Sequence, residues 1–279
     1  MTAELGRVGV WSNTQLWVDG AENAAELEEL GFSALWLGGN PGGDLSVVEP
    51  LLGATRALAV GTSIVNIWLD GPAGIATAFD RVSTRFPDRF VLGLGTSHKG
   101  PIEQATGKAY EKPYSKLVEY LDQLAVPTDS IVLGVLGPRS LKLAAARTRG
   151  AIPYLVTPEH TARARGVLGD GALLAPEQHV VLETDPDKAR ATARAGLSLY
   201  FQLPHYTDNW RRLGFSEDDV KGSDRLVDAL VAWGDEDAIA KRVDEHLAAG
   251  ADHVAVQVIT ADGSLDMAAH RRLGAAFKG

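Results

Sequence analysis

Arg89-Phe90-Val91-Leu92-Gly93-Leu94-Gly95-Thr96-Ser97-His98 is the stretch on which the fold turns. Phe90 to Leu94 is a short apolar run with the length and punctuation of a buried strand, and it ends in glycines and then polar residues. In a parallel α/β sheet or barrel, ligands are handled at the carboxyl ends of such strands. A His leaving a buried strand there is held by rigid structure, and imidazole near neutral pH suits both acid and base work. The plainer alternative is a tight strand exit followed by a surface His.

The same strand-then-helix rhythm extends outward on both sides of this stretch. Upstream, Val8–Trp11, Ala34–Leu37 and Val60–Val65 read as strands one to three. Between them, Ala24, Leu27 and Leu30 recur at helical spacing, and a helix is expected over Leu45–Leu58. Gly74 to Phe86 continues the helical pattern into strand four. Downstream, a polar loop precedes a helix at Pro113–Leu124 with Pro in its opening turn. Strands five and six are expected at Ile131–Val135 and Ile152–Val156, separated by a helix over Ser140–Arg149. Thr157-Pro158-Glu159 is a helix start: a hydroxyl cap, Pro and an acid in the first turn. Val180–Leu182 and His253–Ile259 read as strands seven and eight, with a helix near Ala238–Ala249 before the last.

Such repetition in one chain of 279 residues predicts a single (β/α)8 TIM barrel spanning 1–279, with a helical insertion after strand seven over about 187–234. The doubly wound open sheet is the competing architecture. It usually carries a nucleotide fingerprint, and Gly93-Leu94-Gly95-Thr96-Ser97-His98 places His where the third glycine belongs. Tyr200-Phe201-Gln202-Leu203-Pro204-His205-Tyr206, inside the insertion, either lines a pocket or fills a local core.

The formal net charge of -9 argues against a nucleic-acid partner. There is no cysteine, which excludes disulfides, thiolate metal sites and a Cys nucleophile. Residues 1–12 lack the pattern of a signal peptide and no apolar stretch is long enough to span a bilayer, so a cytoplasmic protein with no membrane partner is expected.

The expected strand ends bring together Trp11, Ser12, Gly38-Gly39-Asn40, Asn66, Trp68, Thr96-Ser97-His98, Gly137-Pro138-Arg139, Thr157 and His160. No two carboxylates converge there, which disfavours a glycosidase-like pair. No metal-binding His spacing and no Gly-Xaa-Ser-Xaa-Gly elbow occurs, so no metal is expected and a serine hydrolase has no support. A glycine-walled, aromatic pocket with helix amino ends nearby suits a planar cofactor carrying a phosphate. Gly137-Pro138-Arg139-Ser140 offers free N–H groups and a guanidinium for that anion, or is simply a Pro-started helix with a solvated Arg.

Gly31-Phe32, Val60-Gly61-Thr62-Ser63-Ile64, Pro87 through Gly95, Leu136-Gly137-Pro138 and Ala249-Gly250-Ala251-Asp252-His253-Val254 occur in an order that resembles the bacterial luciferase-like class of flavin- and coenzyme F420-dependent oxidoreductases. Within it, the chain looks closest to the actinobacterial F420-dependent branch. The resemblance implies coenzyme F420, or alternatively FMN, at the barrel mouth against a bulge in strand three with a cis peptide at Ser63–Ile64. Asn66 would border the ring, Gly95 and Thr96 would flank its reactive centre, and Leu136, Gly137, Pro138 and Arg139 would receive the phosphate. His98 would be the catalytic acid–base group. Trp11, Trp36, Trp68, Tyr154, His160 and His205 are the candidate substrate pocket. Relatives often place a polar pair after strand two, whereas Gly38-Gly39 stands here, which disfavours a mechanism needing a base at that point. The resemblance implies hydride transfer to or from a small organic substrate and a homodimer. An FMN monooxygenase and a non-catalytic flavin-binding homologue are the alternatives.

Overall fold

The computed structural model describes residues 2–278. Its strands are β1 (Val8–Asn13), β2 (Ala34–Gly38), β3 (Ala59–Ser63), β4 (Val65–Asn66), β5 (Phe90–Gly95), β6 (Ile131–Leu133), β7 (Gly150–Ala151), β8 (Leu173–Leu174), β9 (Glu177–Val181), β10 (Val231–Trp233) and β11 (Val254–Val258). The helices on the way are α1 (Ala21–Glu29), α2 (Val48–Ala54), α3 (Pro72–Arg85), α4 (Lys99–Thr106), α5 (Pro113–Gln123) and α6 (Pro138–Arg147). They continue with α7 (Pro158–Leu168), α8 (Pro186–Leu197), α9 (Pro204–Arg212), α10 (Asp224–Leu230), α11 (Glu236–Ala248) and α12 (Met267–Phe277).

Every strand pair is parallel, and β11–β1–β2–β3–β5–β6–β7–β8 follow one another around the sheet. β9 then pairs with β11, while Ala175 N and Glu177 N donate to Ala151 O and Pro153 O at 3.0 and 2.9 Å. The β8–β9 segment therefore lies between β7 and β11 and closes a TIM-barrel-like α/β ring. β3 with β4, and β8 with β9, are each one barrel strand broken in two. The first break holds the Ser63–Ile64 peptide, which is cis.

The alternation of β5 sets its two faces. Phe90, Leu92 and Leu94 pack outward against helices, and Val91 packs inward with Trp36, Ala34, Ala59 and Ala255. Arg89, just ahead of the strand, donates to the carbonyls of Leu52, Thr55 and Leu58 at 2.8–3.1 Å and ties β5 to the turn entering β3. Parallel register aligns Asn13 with Gly38 and Gly38 with Ser63, so these strand ends meet at one level.

Four expectations shift. The sixth strand is Gly150–Ala151 and not Ile152–Val156, because Pro153 has no N–H for the ladder and Leu155 turns away at φ +54. The seventh strand begins earlier than Val180, since Glu177, Gln178 and His179 are polar yet fully internal. Gln178 Nε2 donates to Leu230 O at 2.9 Å, and Glu177 and His179 bond each other, so buried polarity is satisfied locally. The stretch 187–234 is not all helical: β10 forms there on the β9 edge that β7 leaves free. The expected polar loop after strand four contains α4, whose Ile102 is buried.

Candidate active site

A cleft of about 330 Å³ opens at the carboxyl ends of the barrel strands. Gly95, Gly134 and Ile64 form its flat side. A Cβ added at Gly95 or Gly134 would come within 2.9 or 2.8 Å of the Ile64 side chain, so only glycine keeps that surface level. Trp11 also lines it, donating from Nε1 to Ser63 Oγ at 2.9 Å and packing on Tyr154 with ring centroids 5.0 Å apart. Tyr154 OH donates to Gln257 Oε1 at 2.9 Å and lies 3.2 Å from Tyr200 OH. Beneath Tyr154 sits the buried His179, whose Nδ1 is 2.5 Å from Glu177 Oε1; Glu177 Oε2 accepts from Leu155 N.

His98 leaves β5 at the far end of the cleft, 5.4 Å from the Tyr206 ring and 6.2 Å from His205. Neither of its ring nitrogens has a hydrogen-bond partner among the described residues. Burial lowers its pKa, so the neutral imidazole prevails at neutral pH. His205, nearer the mouth, is held low by desolvation and then by His98 and Arg212. Burial pushes the Tyr154 and Tyr206 hydroxyls well up, with Tyr200 and the Glu177 carboxylate adding to it, so these phenols keep their protons.

Leu136, at one edge of the cleft, leads into α6 through Gly137. That helix opens with Pro138, no side chain caps it, and the N–H groups of its first turn stand free. Arg139 is exposed beside them, its guanidinium 3.7 Å from the Tyr114 ring centre.

The family model described as luciferase-like monooxygenase matches residues 3–125, from ahead of β1 to just beyond α5. Over that stretch the chain is similar to the luciferase-like monooxygenases. A Mycobacterium tuberculosis protein named as a coenzyme F420-dependent oxidoreductase, Rv3520c, is 25% identical over 324 aligned positions, covering 89% of this chain and 93% of that one. A solved F420-dependent secondary alcohol dehydrogenase, in complex with an F420–acetone adduct, superposes with a TM-score of 0.75 at 15% identity, over 98% of this chain and 97% of that one. The oxygenating constituent of 3,6-diketocamphane monooxygenase from Pseudomonas putida, in complex with FMN, gives a TM-score of 0.67 at 15% identity, over 96% of each.

In this chain, Trp11, Ser63, Ile64, Asn66, Gly95, Thr96, His98, Leu136, Tyr154 and His205 all line the cleft. Gly137, Pro138 and Arg139 lie just beyond it, at the head of α6. Three predicted pocket residues sit elsewhere. Trp36 fills the barrel interior at 1% exposure, with Nε1 donating to His253 Nε2 at 3.0 Å. His160 is buried on α7, its Nε2 3.0 Å from Leu136 O, so it holds the cleft's edge and does not face the cleft. Trp68 packs against Tyr110, with centroids 5.0 Å apart. Asn13, Gly134, Tyr200 and Tyr206 join the cleft without having been singled out as site residues. The dense aromatic patch was the signal for the two tyrosines, and Tyr206 turns out to serve both as pocket wall and as local core.

The empty end of β2 has a structural counterpart. A Cβ at Gly38 would fall 1.8 Å from Cζ2 of Trp11. The indole of strand one thus occupies the space that a strand-two side chain would need. Among the described residues, no group of three or more His, Cys, Asp or Glu could hold a metal, and no helix is long and apolar enough to cross a membrane.

Proposed function

We propose that the protein is an F420-dependent oxidoreductase, moving a hydride between the deazaflavin and a small organic substrate. The observation that carries this reading is the continuity between a level, uncharged surface at Gly95, Gly134 and Ile64 and the uncapped amino end of α6. A planar ring fits the first, and a phosphate fits the second, where free N–H groups, the helix dipole and Arg139 meet. The bound deazaflavin would supply the hydride chemistry. The chain's own residues hold the ring edge through Asn66 and Thr96, exclude water with the Trp11–Tyr154 wall, and move a proton at His98. Similarity to the mycobacterial protein named for F420 supports this cofactor, and the FMN-bound structural neighbour supports FMN as the second reading. Titrating the purified protein with F420 and with FMN, followed by fluorescence, separates them. F420 is expected to bind more tightly. Tighter FMN binding would replace the first reading by the second, and binding of neither would end both.

A further inference from the structure

One wall of the cleft is built of rings. Trp11, Tyr154, Tyr200 and Tyr206 meet along it in tilted and edge-on contacts, with His98 and His205 beside Tyr206. No residue lining the cleft is Asp, Glu, Lys or Arg. A charged ligand group pressed against this wall would lose its water without meeting an ion partner, which is costly. Glu177 is buried behind this wall, and its field raises the pKa of all three phenols. The same field opposes an anion.

The few polar groups are neutral and unequally available. The Tyr154 proton is committed to Gln257 Oε1 at 2.9 Å. The half-buried Tyr200 hydroxyl has only another phenol as partner, at 3.2 Å, so its proton can turn to an oxygen in the cleft by exchanging one neutral hydrogen bond for another. At the end of β2, Trp11 fills the space beside Gly38, and the residues that follow and line the cleft, Gly39 and Asn40, are neutral.

We propose that this cleft takes an uncharged, planar, conjugated carbonyl compound as substrate, stacked on the Trp11–Tyr154 wall with its carbonyl oxygen on the Tyr200 hydroxyl. This rests on the oxidoreductase reading only in leaving this wall to the substrate and the Gly95–Gly134–Ile64 surface to the cofactor.

Calorimetric titration of the purified full chain tests it with three probes of similar size. Benzalacetone is a neutral aryl enone, cinnamate carries a carboxylate in place of its acetyl group, and benzyltrimethylammonium is an aromatic cation. Benzalacetone is expected to bind at least about tenfold more tightly than cinnamate, given the cost of burying an unpaired charge, and more tightly than benzyltrimethylammonium by a smaller margin, because ring faces and the Glu177 field offset part of a cation's lost hydration. Tyr200→Phe is expected to weaken benzalacetone about three- to tenfold, the worth of one neutral hydrogen bond. Cinnamate or the ammonium binding as tightly as benzalacetone, or no benzalacetone binding at millimolar concentration, would overturn the uncharged class. A folded Tyr200→Phe variant with unchanged benzalacetone affinity would overturn the anchoring role. The three-probe comparison on the unaltered protein stands whether or not the variant folds. An F420 titration on the same sample keeps the readings apart: lost F420 binding with probe discrimination intact strikes only the cofactor reading, and the converse strikes only the substrate class.

Discussion

At the scale of single residues, His98 is the group best placed to move a proton. It projects from the end of a buried strand, its ring nitrogens are free for a ligand, and no carboxylate lines the cleft to compete with it. General acid–base assistance is worth about 10²–10⁴-fold, so a folded His98→Ala variant should lose that factor in turnover while cofactor affinity changes by only a few fold. Single-turnover kinetics alongside a binding titration check both halves. The pH dependence has a definite sign. Burial places the His98 pKa below its ordinary value, so the protonated form is abundant only at pH below that of a free imidazole's titration. Substrate reduction that draws its proton from the imidazolium should therefore fall as pH rises through that lowered pKa, and oxidation should rise through it. The limb should vanish in His98→Ala. Residue type at a strand end made His98 and Trp11 legible in the sequence. It could not say that Trp36 points into the barrel or that His160 turns under Leu136, because facing depends on register and on the neighbouring strand.

At the scale of elements, two strand-to-helix junctions shape the site. A Cβ at Gly137 meets nothing within 4 Å, and its backbone has an ordinary negative φ, so the fold accepts a larger residue there. Gly137→Leu should leave the urea midpoint unchanged and weaken F420 binding about tenfold or more, by blocking close approach to the first-turn N–H groups of α6. Unchanged affinity would move the anion site elsewhere. Gly38 behaves in the opposite way. Gly38→Ala must displace the Trp11 indole, and overpacking of this kind costs about 1–3 kcal/mol. Urea denaturation should show that loss, accompanied by weaker binding in the cleft, since Trp11 can no longer hold its bond to Ser63. The glycine pair after strand two was visible in the sequence. Its cause was not, because the indole that fills the space comes from a different strand.

At the scale of the whole molecule, the fold keeps most of its imidazoles inside. His160, His246, His253 and His270 are buried, and burial is the first cause of the lowered pKa of each, to about 3 for His246. In the unfolded chain these groups take up protons as pH falls through about 6.5, whereas in the fold they do so only lower. The unfolded state then binds more protons, so stability is full above that pH and declines beneath it. His246 alone should contribute a loss of about 2 kcal/mol between roughly pH 6.5 and 5, from the 1.36 kcal/mol per pKa unit. Urea midpoints measured across that window should fall, and a folded His246→Gln variant should show a shallower decline. A flat profile would mean that the buried imidazoles already carry protons in the native state.

The sequence by itself determined the architecture. Apolar runs ended by glycine and alternating with helical periodicity leave few solutions other than parallel strands covered by helices, and the strand exits then nominate one face for ligands. Strands one to four and the helices after them follow that pattern closely, because there one residue class fills each face. Beyond strand five the helices α6, α7 and α11 and the last strand were legible in the sequence, whereas the tertiary structure alone decided the short or polar strands β7 to β10. Polar residues can be buried in β9 only because Leu230 and His246, from distant elements, satisfy Gln178, while Glu177 and His179 bond each other within the strand. Likewise the cleft's aromatic wall joins Trp11, Tyr154 and Tyr200 from widely separated parts of the chain. Local composition carries no information about such meetings, since hydrogen bonds and ring contacts of long sequence separation exist only once the barrel has closed.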